Sequence, residues 1–178
     1  MGPDMVVQVI DGDTFAMRSG KKVRIVGIDT PEIGQKFHDE ARDYLIALIQ
    51  NKEVFLKVNP DSLDRYGRLL AEVFIDTLNV GLAILRAGLA ELYIFNSDRY
   101  FIEKYLSVQK YATEHHLGIW SLPPPKKEDY YFNIRGSHRF HRPLCQNLKN
   151  TEPHKLIKIK TRNEALELGL SPCRNCRP

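Results

Sequence analysis

The first 144 residues contain no cysteine, and the three that follow, Cys145, Cys173 and Cys176, are an odd number crowded into the last quarter of the chain. That spacing argues against a disulfide framework and for a local metal site or free thiols. No apolar run is long enough to span a bilayer, so insertion into a membrane is not expected. Repeats and low-complexity tracts are also missing, which leaves out solenoids and arrays. No signal-peptide pattern is read after Met1-Gly2-Pro3, and localisation is left open. Charge of one sign is scarce only locally. Residues 1–125 carry 14 Lys/Arg against 17 Asp/Glu, whereas residues 126–178 carry 12 against 5. An anionic partner is therefore drawn first to the tail.

What is present is a globular composition, 43% hydrophobic over 178 residues, enough for one ordinary domain and a small satellite. Val6, Val7, Val9 and Ile10 read as a strand that ends in the turn Asp11-Gly12-Asp13. A second strand runs through Phe15 and Met17, and Val23, Ile25, Val26 and Ile28 give a third. From Gln35 to Gln50 the apolar period becomes helical, through Phe37, Ala41, Tyr44, Leu45, Leu48 and Ile49. Glu53 to Asn59 alternates as a strand, which Asn59-Pro60-Asp61-Ser62 is expected to break. Leu69 to Ile75 is the fifth strand. Helices are expected near 79–87 and 98–117, with an extended piece between them. Five strands with a helix between the third and fourth make the OB pattern, a β-barrel with helices. The boundary falls in the Pro-rich linker at 123–127, giving a domain over 1–124 and a module over 125–178.

Three short stretches at strand ends and loops carry chemistry: Asp11-Gly12-Asp13-Thr14, Arg24 to Glu32, and Asp64-Arg65-Tyr66-Gly67-Arg68. Each alone reads equally as a turn, a helix cap or a surface loop. Together they suit phosphodiester hydrolysis. A hard cation held by carboxylates such as Asp13 and Asp29 binds phosphate and lowers the cost of making a nucleophile from water. Arginine forks at Arg24 and Arg68 match phosphate oxygens and stabilise charge that builds at phosphorus. Glu32 is placed to position or deprotonate the water. Tyr66 is placed to contact a base face or a phosphate.

These stretches, with Asn79 to Ala90 and Leu117-Gly118-Ile119-Trp120, resemble the staphylococcal nuclease family over roughly residues 5–121. The resemblance implies a five-stranded OB barrel with helices and calcium-dependent cleavage of DNA and RNA that leaves 3′-phosphate ends. It implies calcium carboxylates at Asp13 and Asp29, a backbone carbonyl ligand at Thr30, phosphate-binding arginines at Arg24 and Arg68, and a proposed general base at Glu32. It further implies substrate contacts from Arg65, which stands where a lysine is usual and keeps the charge, and from Tyr66 and Tyr93. Pure binding by an OB barrel, the rival function, does not need the carboxylate set. A protein-interaction scaffold is the third reading.

In the tail, His141-x3-Cys145 and Cys173-x2-Cys176 form two close pairs of ligands, which suits a four-coordinate structural zinc. His138 is an alternative first ligand. With Arg162-Asn163-Glu164-Ala165 as a helix start and Leu168-Gly169-Leu170-Ser171-Pro172 before the last pair, the segment resembles the zinc domain of Ada-type DNA-repair proteins. Those use four cysteines, one of them a methyl acceptor. A histidine stands at the first position here, so methyl transfer is not carried over. A monomer acting on nucleic acid is expected, with Ca2+ for catalysis and Zn2+ for structure.

Overall fold

The computed structural model describes residues 3–94, 99–123 and 126–178, so Pro124 and Pro125 of the expected linker lie outside the described residues. The chain opens with a meander: β1 (Asp4–Asp11), β2 (Thr14–Met17) and β3 (Lys22–Ile25). A break then separates β4 (Gly27–Asp29), which is followed by α1 (His38–Ile49). Next come β5 (Glu53–Leu63), β6 (Leu69–Ile75), β7 (Leu78–Asn79) and α2 (Val80–Arg86). The short strand β8 (Glu91–Tyr93) and α3 (Arg99–Glu114) follow.

Strands pair in the order β3-β2-β1-β5-β6, and a parallel pairing of β3 with β6 closes the five into a barrel. Closure removes the open edges that a small sheet otherwise exposes. Inside lie Val6, Val9, Phe15, Met17, Val23, Ile25, Val54, Leu56, Ala71 and Val73, all buried. A register shift in β1 between Val6 and Gln8 lets Val6 and Val9 both point inward, three residues apart, while Val7 and Ile10 stay exposed. The helix α1 buries His38, Ala41, Leu45 and Ile49, and Phe37, Tyr44 and Leu48 of the stripe read from the sequence are partly buried and pack against the core. Each fully buried Leu or Ile contributes about 1.5–3 kcal/mol to holding it there. The start of α2 is fixed by Asn79, whose side chain accepts from the Leu82 N–H at 3.0 Å.

Two expectations are corrected. The strand expected over Val23–Ile28 is two strands, because Gly27 takes φ of 85° and turns the chain out of the barrel, so that β4 pairs instead with β8. A Cβ at Gly27 would sit 2.6 Å from the rings of Phe101 and Tyr105, so α3 packs directly on this backbone. The Asn59-Pro60 segment does not break β5. The strand runs to Leu63, with the pairing to β6 interrupted between Val58 and Leu63, an irregularity that accommodates a residue with no N–H to donate.

Residues 131–178 build a separate four-stranded sheet from β9 (Tyr131–Ile134), β10 (Arg139–His141), β11 (Leu156–Ile159) and β12 (Ser171–Pro172), in the order β11-β9-β10-β12. The short helix α4 (Arg162–Glu167) covers one face. Tyr131, Phe140, Ile159, Ala165 and Leu166 form its core, and Trp120, from the end of the barrel segment, packs against them. No helix among the described residues is long and apolar enough to cross a membrane.

Candidate active site and metal centre

The tight turn between β1 and β2 sets the first carboxylate. A Cβ at Gly12 would lie 2.8 Å from the Ala41 Cβ and 2.9 Å from the Thr30 Oγ1, so only glycine lets this turn nest against α1 and the Thr30 segment. Asp13 follows, buried, at the mouth of the barrel. Its neighbour Thr14 pairs with Arg24 across β2 and β3, which places the two on adjoining strands. The turn-out at Gly27 brings Asp29 and Thr30 back over the same end.

One guanidinium joins these pieces. Arg24 is buried and forms ion pairs with both Asp13 and Asp29, the latter at 2.8 Å. Two carboxylates that share one guanidinium are close enough to share one ion. Burial pushes the Asp13 carboxyl above its ordinary range and the nearby Asp29 adds to this, while Arg24 pulls the other way. Paired, partly desolvated carboxylates of this kind are the donor set that a hard divalent cation needs. The residues thus fit a hard divalent cation such as calcium, which Asp13, Asp29 and the Thr30 backbone would hold. Thr30 itself is buried and its Oγ1 has no hydrogen-bond partner among the described residues.

Arg68 arrives from the loop before β6. Its Nη1 donates to the Thr14 Oγ1 at 3.2 Å, and Thr14 Oγ1 donates to Asp13 at 2.8 Å, so a short chain of bonds links Arg68 to the carboxylates. Asp64 holds the same guanidinium from the other side at 2.7 Å. Tyr66 is exposed; its hydroxyl accepts from Arg65 at 2.6 Å, and the guanidinium carbons of Arg65 and Arg68 lie 4.8 and 5.4 Å from its ring centre. Glu32 is exposed at the rim. Tyr93, opposite Gly27 in the β4–β8 pairing, lies with its ring centre 5.9 Å from the Arg24 guanidinium carbon. All the barrel residues singled out from the sequence therefore gather at one end of the barrel.

The tail brings His141, Cys145, Cys173 and Cys176 together, with their ligand atoms within 4.8 Å of one another. The Cys145 and Cys173 sulfurs are 4.0 Å apart, near the ~3.8 Å edge of a tetrahedron with 2.3 Å zinc–sulfur bonds. Nδ1 of His141 is buried without a hydrogen-bond partner, and burial, with Arg139 nearby, holds its ring toward the neutral form that can ligate. Burial pushes the Cys176 thiol up to about 12, so a cation is what would make it a thiolate at neutral pH. Around the cluster, the Arg142 N–H points at the Cys176 sulfur at 3.3 Å, and the Asn147 amide donates to the Cys173 sulfur at 3.5 Å. Such bonds orient thiolate ligands. The residues fit zinc. His141 is the histidine of this group, rather than His138.

Two arginines of the tail reach the barrel site, and no motif in the sequence pointed to them. Arg174 pairs with Asp29 and, at 3.2 Å, with Glu32. The Arg139 guanidinium carbon lies 3.4 Å from the centre of the Tyr93 ring. These contacts, with Arg162 on Glu91 and Arg142 on Glu128, also engage a good part of the positive charge that made the tail look like a free basic surface.

Residues 22–122 match the family model described as staphylococcal nuclease homologue. An uncharacterized endonuclease of Escherichia coli O157:H7 is 35% identical over 125 residues, which covers 67% of this chain and 78% of that protein. The thermonuclease of Staphylococcus hyicus is 32% identical, over 65% of this chain and 74% of that protein. A micrococcal nuclease of Shigella flexneri is 32% identical, over 66% and 73%.

Proposed function

Because the chain belongs to the staphylococcal nuclease family and is a hydrolase of the nuclease class, we propose that it cleaves DNA and RNA in a calcium-dependent reaction that leaves 3′-phosphate ends. Residues 1–124 form the catalytic domain in this reading, and residues 125–178 form a structural zinc module that helps hold the polyanion.

The observation that carries the proposal is the buried guanidinium of Arg24 shared between Asp13 and Asp29. A bound calcium ion would neutralise phosphate charge and favour hydroxide over water. Glu32 orients the attacking water or takes its proton. The water oxygen bonds to phosphorus as the bond to the 5′ oxygen breaks, and that oxygen takes a proton from solvent to leave as the 5′ hydroxyl, with the phosphate kept on the 3′ side. Arg24 and Arg68 place their N–H groups where charge grows on the phosphoryl oxygens. Arg65, Tyr66 and Tyr93 line the approach and contact the strand. The four donors His141, Cys145, Cys173 and Cys176 would complete the shell of a zinc ion, which would then supply folding energy rather than chemistry.

The test is cleavage of single-stranded DNA and RNA by the purified protein with calcium, with a chelator, and with the Asp13→Ala variant, followed by identification of the new ends. Calcium-dependent products ending in 3′-phosphate, lost in the variant, support the proposal. Binding of the strand without cleavage under any divalent metal, or cleavage that survives Asp13→Ala, overturns it.

A further inference from the structure

The tip of the Cys-x2-Cys turn enters the nuclease site. Arg174 sits between Cys173 and Cys176, and all three guanidinium nitrogens face catalytic carboxylates. Its Nε donates to Asp29 Oδ2 at 2.8 Å, its Nη2 to Asp29 Oδ1, and its Nη1 lies 3.2 Å from Glu32 Oε1. The placement does not depend on this contact alone. Ser171 Oγ donates to the Leu92 carbonyl at 2.5 Å, and Arg162 pairs with Glu91 at 3.3 Å. Both partners are on β8, the strand paired with the one that carries Asp29. The backbone on the other side of the turn is held by Arg142, which donates to the carbonyls of Cys176 at 2.9 Å and Arg177 at 3.0 Å. Arg174 is thus delivered from a fixed base, and its side chain is 48% exposed, with room to swing.

Charge balance decides what such a residue does. Asp13, Asp29 and Glu32 bring three negative charges, and Arg24 and Arg174 answer with two positive ones. A divalent cation on Asp13 and Asp29 turns the local balance positive and sits beside the Arg174 guanidinium on the same carboxylate. Like charges repel there, and the fork on Asp29 loosens. The anion that restores neutrality next to the ion is a phosphodiester, whose oxygens a guanidinium fork fits. Tyr93 adds a platform at this place, 5.5 Å from the Arg174 guanidinium carbon and stacked under Arg139.

We propose that Arg174 is a phosphate-binding residue of the nuclease site, supplied by the metal module, which exchanges Asp29 and Glu32 for a substrate phosphate as the divalent cation takes the carboxylates. The proposal rests on the nuclease reading above. It makes metal and nucleic acid bind synergistically: the cation alone must displace the guanidinium, and the strand gives the guanidinium a new partner.

The experiment is calorimetric titration of calcium into the full chain, wild type, Arg174→Ala and Arg174→Lys, with and without a single-stranded phosphorothioate oligonucleotide. Zinc content is measured alongside, to show that the module is intact. Cleavage kinetics on single-stranded DNA complete it. For Arg174→Ala the expected results are calcium binding about 5- to 10-fold tighter without oligonucleotide, a several-fold smaller gain when the oligonucleotide is added, and a KM raised about 10-fold. Arg174→Lys, which keeps the charge and loses the fork, falls between. Unchanged calcium affinity in Arg174→Ala overturns the exchange. So does tighter calcium with KM unchanged, because the guanidinium would then only block the site. Failure of the nuclease reading looks different: the wild type itself would neither bind calcium nor cut DNA, and the exchange would fall with it.

Discussion

Asp64 grips Arg68 at both ends: one carboxylate oxygen accepts from the Arg68 backbone N–H at 3.0 Å and the other from its Nε at 2.7 Å. The same carboxylate accepts from the Tyr66 N–H at 2.9 Å. A single side chain therefore shapes the loop and aims its arginine toward Thr14 and Asp13. Asp64 touches no reacting atom and acts through Arg68. Asp64→Ala is expected to lower kcat about 10- to 100-fold, the usual cost of misplacing a charged group by an ångström or so, with little change in melting temperature. Burial works to raise the Asp64 carboxyl, but the hydrogen bonds from Arg68 and Tyr66 outweigh it and hold the carboxyl below its ordinary range. A depressed pKa keeps its contribution at all higher pH and loses it as pH falls through the folded value. The carbon-13 shift of the Asp64 carboxylate should accordingly titrate below the ordinary aspartate range in the wild type and at a higher pH in Arg68→Ala, which keeps the backbone N–H bonds but loses the side-chain bond and the charge. Titration at the ordinary value in both would remove the grip from the account.

The two site arginines should differ when deleted. From the sequence alone both look like loop or strand-end residues whose loss costs turnover and little else. Arg24, however, is buried between two carboxylates. Arg24→Ala leaves the buried Asp13 carboxylate without its cationic partner, while Asp29 keeps Arg174, and stripping one partner from a buried pair typically costs about 3–5 kcal/mol. Arg68 is half-buried, so Arg68→Ala should cost about 1 kcal/mol or less. Both should cut kcat at least 100- to 1,000-fold, roughly the loss seen when a transition-state donor is removed. Chemical denaturation in chelator separates them, and added calcium should restore part of the stability of Arg24→Ala by neutralising the same carboxylates. Equal stability of the two variants in chelator would show that the Arg24 pairs do not hold the fold.

Gly27 shows where reading the sequence stopped. Its neighbours Ile25, Val26 and Ile28 are strand formers, and nothing local says that the strand should divide. The division is required by α3, whose Phe101 and Tyr105, far along the chain, occupy the space a side chain would need. Gly27→Ala is expected to destabilise the protein by about 2–5 kcal/mol, from the positive φ together with the clash on the two rings. Urea unfolding measures this, and a loss under about 1 kcal/mol would mean that the rings yield easily.

Local periodicity is legible in the sequence and long-range docking is not. The helical stripe of α1 and the inward alternation of β5 are periodic, so they are legible in a single segment. Asp13, Arg24, Asp29 and Arg68 stand in short stretches whose order and residue types suit one chemistry, so they could be picked out before any contact was known. Arg139 belongs to no such stretch, and Arg174 lies in one, Cys173 to Cys176, that points to a metal and not to the barrel. Asp29 and Arg174 are 145 residues apart, and the pairing depends on how β12 docks on β8. Charge counting even pointed away from it, since it assigned these arginines to a free basic surface. The strand through Asn59-Pro60 was missed for the opposite reason: a strong local break signal was overridden by the pairing of β5 with β6 on both sides of it.

Metal removal should unfold the tail before the barrel. The core of residues 131–178 is small, and a domain of this size usually needs a staple beyond its hydrophobic contacts. The chain has one tryptophan, Trp120, and it packs on Tyr131, Phe140, Ile159, Ala165 and Leu166 of that core. Its fluorescence therefore reports the module, while the barrel can be followed by far-ultraviolet circular dichroism. A strong zinc chelator is expected to shift Trp120 emission to the red with most of the barrel signal retained. Arg142→Ala, which removes the guanidinium bonds to Cys176 and Glu128 and leaves the four ligands in place, should weaken zinc binding about 10- to 100-fold. It should bring the emission change on at correspondingly lower chelator concentrations. An unchanged Trp120 spectrum after complete zinc removal would show that the module stands on its hydrophobic core alone. A barrel that melts together with it would show that the contacts of Ser171 and Arg162 with β8 make the two parts one cooperative unit.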